Sequence, residues 1–374
     1  MPFRPSSGAS LSNSNRVAEP VLGPISGRSS ALGRHSSRVL TSNDLLGEVL
    51  GSYRLVELIG SGGMGEVFRA EHIKLGREVA FKLLRPECAH RPESVTRFFQ
   101  EARAVNRVRH RNIVDVTDLD TLEDGTPYII MELLDGENLR DWVDDHHHET
   151  QRVLDLFVQI CDGLSAAHQV EIIHRDLKPD NIMVVTDHSD NDLIKILDFG
   201  IAKLLSHEDE EYGWKTTEGF VMGTPAYMSP EQAGGMNIDT RSDLYSLGAI
   251  MYETFTGEPV FTGKSAGEYV RKHLNEVPVR PTRIPGSENL DLRIETVIMR
   301  CLAKEPSDRY ATAVGLRRDL ERILAGEAIS EAGETLPMRQ TGRDSIDSGL
   351  ARSRSASSSE NHHSARGRVS QRMA

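Results

Sequence analysis

Residues 172–181 read Ile172-Ile173-His174-Arg175-Asp176-Leu177-Lys178-Pro179-Asp180-Asn181, or IIHRDLKPDN. A solvated turn has no need of the two β-branched residues in front. A buried strand would not accept the charge behind them, because each unpaired buried ion costs several kcal/mol. Read as a site, the stretch offers three functions close together. Asp176 can accept a proton from an attacking hydroxyl, Lys178 can neutralise charge on a migrating phosphoryl group, and Asn181 presents a hard oxygen suited to Mg²⁺. Read as structure alone, it is a satisfied surface loop. The sequence on either side decides between the two.

Downstream lies Ile196-Leu197-Asp198-Phe199-Gly200, which places Asp198 at a strand end where its carboxylate could also hold Mg²⁺. Upstream, Gly60-Ser61-Gly62-Gly63-Met64-Gly65-Glu66-Val67 has a G-x-G-x-x-G-x-V spacing. Dinucleotide folds share these glycines, and a plain β-turn could carry them. Here, however, the run lies between two alternating, strand-like segments and does not open a helix. A glycine-lined hairpin lets backbone N–H groups approach phosphate closely. Next comes Val79-Ala80-Phe81-Lys82, where Lys82 either faces water or serves the same pocket. Glu101 falls on the apolar stripe of a predicted helix with Phe98, Ala102 and Val105, and a carboxylate there needs a partner. Lys82 is the expected partner, and the pair would offer one ammonium to a nucleotide's α- and β-phosphates.

The chain of 374 residues carries a net charge of −12, which argues against a dedicated nucleic-acid binder. Arginine is in slight excess at both ends, so the middle is more acidic than the whole. Cys88, Cys161 and Cys301 are far apart and have no ligand spacing, which disfavours a disulfide framework or a zinc site and fits a reducing, cytoplasmic location. No apolar run is long enough for a membrane span or a signal peptide, which predicts a soluble enzyme and not a surface receptor. Residues 1–44 and 333–374 are rich in Ser, Arg and Gly and are predicted to be disordered tails. Between them, strands are expected over 53–59, 66–72, 78–84 and 126–134, and helices over 94–108, 153–169 and 243–257. This predicts an α+β, bilobal fold: a small β-rich lobe with one regulatory helix at about 53–133, a hinge at about 133–138 and a larger, mainly helical lobe at about 139–325.

Taken together, these motifs resemble the protein kinase superfamily. Through "GSGGMGEVFRA", "IIHRDLKPDNIM", "KILDFGIAK" and "GTPAYMSPEQ" they are most similar to the bacterial, eukaryote-like (Hanks-type) serine/threonine kinases. The resemblance implies a bilobal kinase fold over residues 53–325 and an ATP-dependent transfer of phosphoryl groups to Ser and Thr of proteins, with Mg²⁺ or Mn²⁺. It implies Asp176 as catalytic base, Lys178 at the γ-phosphate, Lys82 paired with Glu101, and Asn181 and Asp198 on the metal. For ATP it implies Ile59, Gly60, Ser61, Gly62, Gly63, Met64, Gly65, Val67, Ala80, Lys82, Met131, Glu132 and Leu134. Met131 would stand at the back of the adenine pocket, and the backbone after it would read the adenine edge.

The same resemblance places an activation loop between Asp198 and Glu231, with Thr216 and Thr217 as autophosphorylation sites whose phosphate Arg175 would read. Thr224, in Gly223-Thr224-Pro225, would line the acceptor site. Ser229 stands where the family has Ala, a mild departure. Glu231 would pair with Arg309, and Asp243 would brace the catalytic loop. The implied partners are protein substrates bearing Ser or Thr, including this chain itself, with no nucleic acid. A non-catalytic scaffold of this fold would show erosion at Lys82, Asp176 or Asp198, and none is eroded. A small-molecule kinase would lack the G-T-P-x-Y-x-S-P-E segment, which is complete here.

Overall fold

Alternating apolar and polar residues build a six-stranded antiparallel sheet. Its strands are β1 (Val49–Leu50), β2 (Tyr53–Ser61), β3 (Gly65–His72), β4 (Glu78–Leu84), β5 (Val116–Thr121) and β6 (Pro127–Met131), in spatial order β1-β2-β3-β4-β6-β5. In the computed structural model the described residues are 42–146, 149–187, 189–199 and 225–329. Residues 1–41 and 330–374, the His147-His148 pair, and Thr216, Thr217 and Thr224 lie outside them, whereas the last three residues of the expected N-terminal tail open a short 3-10 turn, Ser42–Leu45.

The period of two along β4 divides its side chains between two faces. Val79, Phe81 and Leu83 join Leu55, Phe68, Ala70, Tyr128 and Ile130 in a cluster on one face, where Phe81 stacks on Tyr128 with ring centroids 4.8 Å apart. Ala80, Lys82 and Leu84 therefore point the other way. Leu84 packs into the larger core with Phe98, Ala102 and Val105 of helix α2 (Pro92–Arg107). That helix starts at Pro92, two residues before the periodic run, because a missing N–H costs nothing in the first turn. Helix α1 (Pro86–Ala89) precedes it.

After β6 the chain runs through a short linker into β7 (Gly136–Asn138), α3 (Leu139–His146) and α4 (Thr150–Gln169). The expected strand over 126–134 ends at Met131, because Glu132 turns its backbone N–H to the Asp115 carbonyl at 3.0 Å. Strands β8 (Ile182–Thr186) and β9 (Asp192–Ile196) complete a three-stranded antiparallel sheet with β7. Then come α5 (Pro230–Ala233), α6 (Arg241–Thr256), α7 (Ala266–Asn275), α8 (Leu292–Cys301) and α9 (Ala313–Leu324).

Helix α6 is the axis of the helical part. Every residue from Ser242 to Tyr252 is buried, as expected only of a helix packed on all sides. A Cβ at Gly248 would lie 2.5 Å from the Cys301 Cβ, so only glycine lets α8 approach this closely. Burial pushes the Cys301 thiol up to about 12 and the Cys161 thiol well above its ordinary value. All three cysteines are unbridged, and Cys88 alone is partly exposed. Among the described residues, no helix is long and apolar enough to cross a membrane.

As the resemblance implies, Glu231 and Arg309 form a buried bidentate pair, with Nη1–Oε1 at 2.7 Å and Nη2–Oε2 at 2.8 Å. Burial alone would raise the Glu231 carboxyl, yet hydrogen bonds from Arg309 and Ser242 hold it below its usual range. Truncating Arg309→Ala strands that carboxylate in the core and is expected to cost about 3–5 kcal/mol of unfolding free energy. The double replacement Glu231→Gln/Arg309→Met should cost less than the single one. Urea denaturation of the three proteins measures both.

Candidate active site

The residue types of IIHRDLKPDN make sense once the anchoring beneath them is seen. Asp243 of α6 is buried, and its carboxylate accepts three hydrogen bonds. His168 Nε2 lies 2.7 Å from Oδ2, the His174 backbone N–H donates to Oδ2 at 2.9 Å, and the Arg175 N–H donates to Oδ1 at 2.9 Å. These hold Arg175 in the left-handed region, at φ 64°. Strain of this kind in a non-glycine residue costs about 1–3 kcal/mol and survives only where the surroundings enforce it. His174 settles the next link. Its Nε2 lies 2.8 Å from the Leu197 carbonyl, so that nitrogen carries the proton, while Nδ1 accepts the Asp176 N–H at 3.3 Å. Burial pulls its pKa down, which keeps the ring neutral. The ring also packs on Phe199, with centroids 4.6 Å apart. One histidine thus ties the Asp176 loop to the segment carrying Asp198.

The functional groups converge from four elements. Lys82 Nζ lies 2.6 Å from Asp198 Oδ1. This differs from the expected Lys82–Glu101 pair. The direct partner is Asp198, whose own backbone is left-handed at φ 41° and aims the carboxylate at β4. Glu101 acts on Lys82 through space. Burial works against the Lys82 ammonium, but Asp198 and Glu101 together outweigh it and raise its pKa. Asp198 is held below its usual range because attraction to Lys82 outweighs burial. Among the described residues, no cation is hydrogen-bonded to Glu101. Burial pushes it up to about 7, with the nearby Asp198 and Asp176 charges adding to the effect and Lys82 opposing it.

On the loop, Asn181 Nδ2 donates to the Asp176 carbonyl at 2.8 Å, and Lys178 Nζ lies 4.0 Å from Asp176 Oδ2. Fixing the Asn181 amide nitrogen this way leaves its oxygen on the far side of the planar group. The Asp198 side chain remains 46% exposed. Among the described residues there is no group of three or more His, Cys, Asp or Glu able to hold a metal. One carboxylate and one amide oxygen fit Mg²⁺, which takes few protein ligands and fills its octahedron with water and phosphate oxygens.

The glycine hairpin between β2 and β3 is tight at one point only. A Cβ on Gly65 would come 2.6 Å from the Leu83 carbonyl, whereas one on Gly63 would meet nothing within 4 Å. Gly65 therefore serves strand packing, whereas no contact within the protein requires glycine at position 63. The hairpin is held by Gly62 N–H to the Gly65 carbonyl at 2.9 Å and Arg85 N–H to the Met64 carbonyl at 3.0 Å. Arg85 Nη2 donates to Ser61 Oγ at 2.6 Å, and Cys88 Sγ lies 3.9 Å from the Gly63 carbonyl. Ile59 and Gly60 lie on β2, which exposes Ile59. Val67 pairs across the strands with Lys82, and Ala80 with Met131. Glu132 and Leu134 follow in the linker. Glu132 Oε1 accepts Lys195 Nζ at 2.6 Å and the Asp115 N–H at 2.8 Å, so β9 and the linker are clamped together.

A family model described as "Protein kinase domain" matches residues 53–319. The chain belongs to the protein kinase family. Its curated relatives include the serine/threonine-protein kinases Pkn1 and pkn3 of Myxococcus xanthus. Pkn1 is 41% identical over 299 residues (80% of this chain, 42% of Pkn1), and pkn3 is 42% identical over 276 residues (72% and 50%). Serine/threonine-protein kinase PknB of Mycobacterium tuberculosis is 40% identical over 279 residues, 74% of this chain and 43% of PknB. The aligned part thus makes up half or less of each relative's length. The solved kinase domain of Mycobacterium tuberculosis PknI shares the fold at a TM-score of 0.55 and 24% identity, covering 74% of this chain and 98% of that one.

Several residues of this kinase domain that hold the site together have no signal in the sequence. Lys195 stands in an apolar run, Leu193-Ile194-Lys195-Ile196-Leu197, and Asn112 and Arg140 in mixed surroundings, and none of these neighbourhoods names a partner. Asn112 is buried, donates to the Ile194 carbonyl at 3.0 Å and accepts the Ile196 N–H at 2.9 Å, pinning β9. His174 stands inside the quoted stretch, but only the geometry gives it a role.

The raised Glu101 pKa has a defined sign. The folded state binds this proton more tightly than the unfolded chain does. Its contribution to stability is therefore full below about 4.5 and is lost as pH rises through about 7. A carbon-13 titration of the Glu101 carboxyl in the nucleotide-free protein should find a midpoint near 7. Lys82→Met should move the midpoint higher still, since the opposing cation is gone. A midpoint in the ordinary glutamate range would show that Glu101 is solvated.

Proposed function

We propose that this chain is an ATP-dependent serine/threonine protein kinase, transferring the γ-phosphoryl group to Ser and Thr hydroxyls of proteins. The observation that carries the reading is the 2.6 Å Lys82–Asp198 contact beside Asp176 and Asn181, four groups drawn to one place from β4, the Asp176 loop and the end of β9. Bound ATP with a divalent cation supplies the phosphoryl group and neutralises its charge. The residues do the rest by position and electrostatics. Asp176 takes the proton of the acceptor hydroxyl. Lys178, close to that carboxylate, balances charge on the side of the transferred group. Lys82 holds the α- and β-phosphates, and Asn181 and Asp198 offer the oxygens for Mg²⁺ or Mn²⁺. Ala80 and Val67 enclose adenine, with Met131 behind it and the Glu132 and Leu134 backbone at its edge. The glycine run 60–65 covers the phosphates. The three unbridged cysteines suit a reducing, cytoplasmic setting.

Activation by autophosphorylation of Thr216 or Thr217 belongs to the same reading. Its support is Arg175: burial lowers the guanidinium's pKa, only the Asp243 charge opposes this, and among the described residues no carboxylate pairs with it. A loop phosphate would supply the missing anion. On this reading the protein substrates include this chain, and Thr224, outside the described residues, is assigned to recognition of the acceptor.

Asp176→Asn is expected to lower kcat about 10²–10⁴-fold, measured as phosphate transfer from labelled ATP to a generic protein acceptor, with ATP binding retained. Labelled product should contain phosphoserine and phosphothreonine and no phosphotyrosine. Near-full activity in Asp176→Asn would overturn the assignment. Phosphopeptide mapping should find Thr216 or Thr217 modified in the wild type and neither in Asp176→Asn. A wild type active without either phosphate would remove the activation step alone.

A further inference from the structure

The two strands of the glycine hairpin are held unequally. Strand β3 pairs with β4 residue for residue, from Gly65 opposite Leu84 to Glu71 opposite Glu78, without a break. At the tip, the Met64 side chain packs against the larger core. Strand β2, by contrast, pairs with β3 through two register shifts, one between Leu55 and Glu57 and one between Leu58 and Gly60. Such a shift interrupts the ladder and lets the strand bend. Gly60 and Ser61, which open the glycine run, therefore lie beyond two weak points.

One side chain reaches across to them. Arg85 follows β4 and stands at the start of α1. Its N–H donates to the Met64 carbonyl at 3.0 Å, and its own carbonyl accepts the Cys88 and Ala89 N–H groups, both at 2.9 Å. With both backbone groups bonded, the guanidinium has a fixed origin. From there it spans β3, and Nη2 donates to Ser61 Oγ at 2.6 Å. The same nitrogen lies 3.8 Å from Glu66 Oε1, too far for a hydrogen bond. Its Nε is buried with no acceptor among the described residues. The guanidinium is thus only partly satisfied, and the side chain remains 38% exposed. One hydrogen bond in contact with water contributes little net free energy, so it can break and re-form while the paired strands stay intact.

Arg85 lies three residues beyond Lys82. An odd step along an extended chain sends the two side chains to opposite faces, so Arg85 holds the hairpin and Lys82 serves the pocket beneath it.

We propose that Arg85 is a positioning residue for the nucleotide: through Ser61 it latches the β2 half of the glycine hairpin, and release of that single bond lets the nucleotide leave. This rests on the protein kinase reading above, in which the glycine run covers the phosphates. In nucleotide-free protein, hydrogen exchange of a peptide spanning residues 58–66 should be about three- to tenfold faster in Ser61→Ala and Arg85→Met than in wild type, the range expected of one hydrogen bond. Dissociation of a fluorescent ADP analogue should accelerate by a similar factor, and the KM for ATP should rise while kcat does not fall. Ser61→Ala/Arg85→Met should match the single variants, because the second change removes nothing further. Ser61→Thr keeps the hydroxyl and should exchange and release the analogue as wild type does. Should Arg85→Met fail to fold, Ser61→Ala against Ser61→Thr gives the same comparison. Unchanged exchange in Ser61→Ala, additive effects in the double variant, Ser61→Thr behaving like Ser61→Ala, or a fall in kcat alongside the rise in KM would each overturn the proposal. Failure of wild type to bind the ADP analogue would instead bring down the kinase reading, and this proposal with it.

Discussion

The buried carboxylate of Asp243 fixes the geometry on which the rest of the site depends. It lies on a helix enclosed on all sides, so it cannot move to meet solvent, and solvent cannot reach it. Its charge is tolerated because three donors converge on it, two of them backbone N–H groups of consecutive residues. Hydrogen bonds to a charged group contribute about 1.5–3 kcal/mol each, more in sum than the left-handed backbone of Arg175 costs. A fully enclosed anchor thus lies directly under a strained loop. Asp176 inherits its position from that arrangement.

A second constraint couples the sheet to the loop. Lys82 is placed by strand alternation, on the face opposite Phe81, and Asp198 by a left-handed turn after β9. Each could be built independently, yet they meet at hydrogen-bond distance. His174 links the two anchored segments, and the Glu132–Lys195 clamp ties the linker to the same strand. Glu101 sits close enough to feel both charges without touching either. In this arrangement the lysine has two carboxylates to choose between, one on the helix beside the sheet and one on the loop. A ligand drawing Asp198 away would leave Glu101 as the lysine's remaining neighbour.

Much of this was legible in the sequence, for identifiable reasons. Strands β2, β3 and β4 and helices α2, α4 and α6 have long, regular apolar periods, and their boundaries fell within a few residues of expectation. Strands β1, β5, β7, β8 and β9 are short or made of mixed residues, and their pairing depends on partners far away in the chain, which periodicity does not record. The motif residues were conspicuous because charged side chains stood next to apolar anchors. Glu101 was correctly placed on an apolar stripe, but its expected ion pair was not formed, because the competing carboxylate of Asp198 depends on a backbone conformation that no local pattern announces. Lys195, Asn112 and Arg140 were invisible for a related reason: each acts through a partner dozens of residues away.

The cysteines carry a practical consequence. Two thiols are sealed in the helical core, where burial suppresses the thiolate that reacts with electrophiles. The third, Cys88, rests beside the carbonyl of Gly63 at the tip of the glycine hairpin. An alkylating fluorophore added to the native protein therefore has a single accessible target, placed by the chain itself at the edge of the nucleotide pocket. The unmutated molecule comes equipped with an attachment point from which hairpin movement can be watched optically.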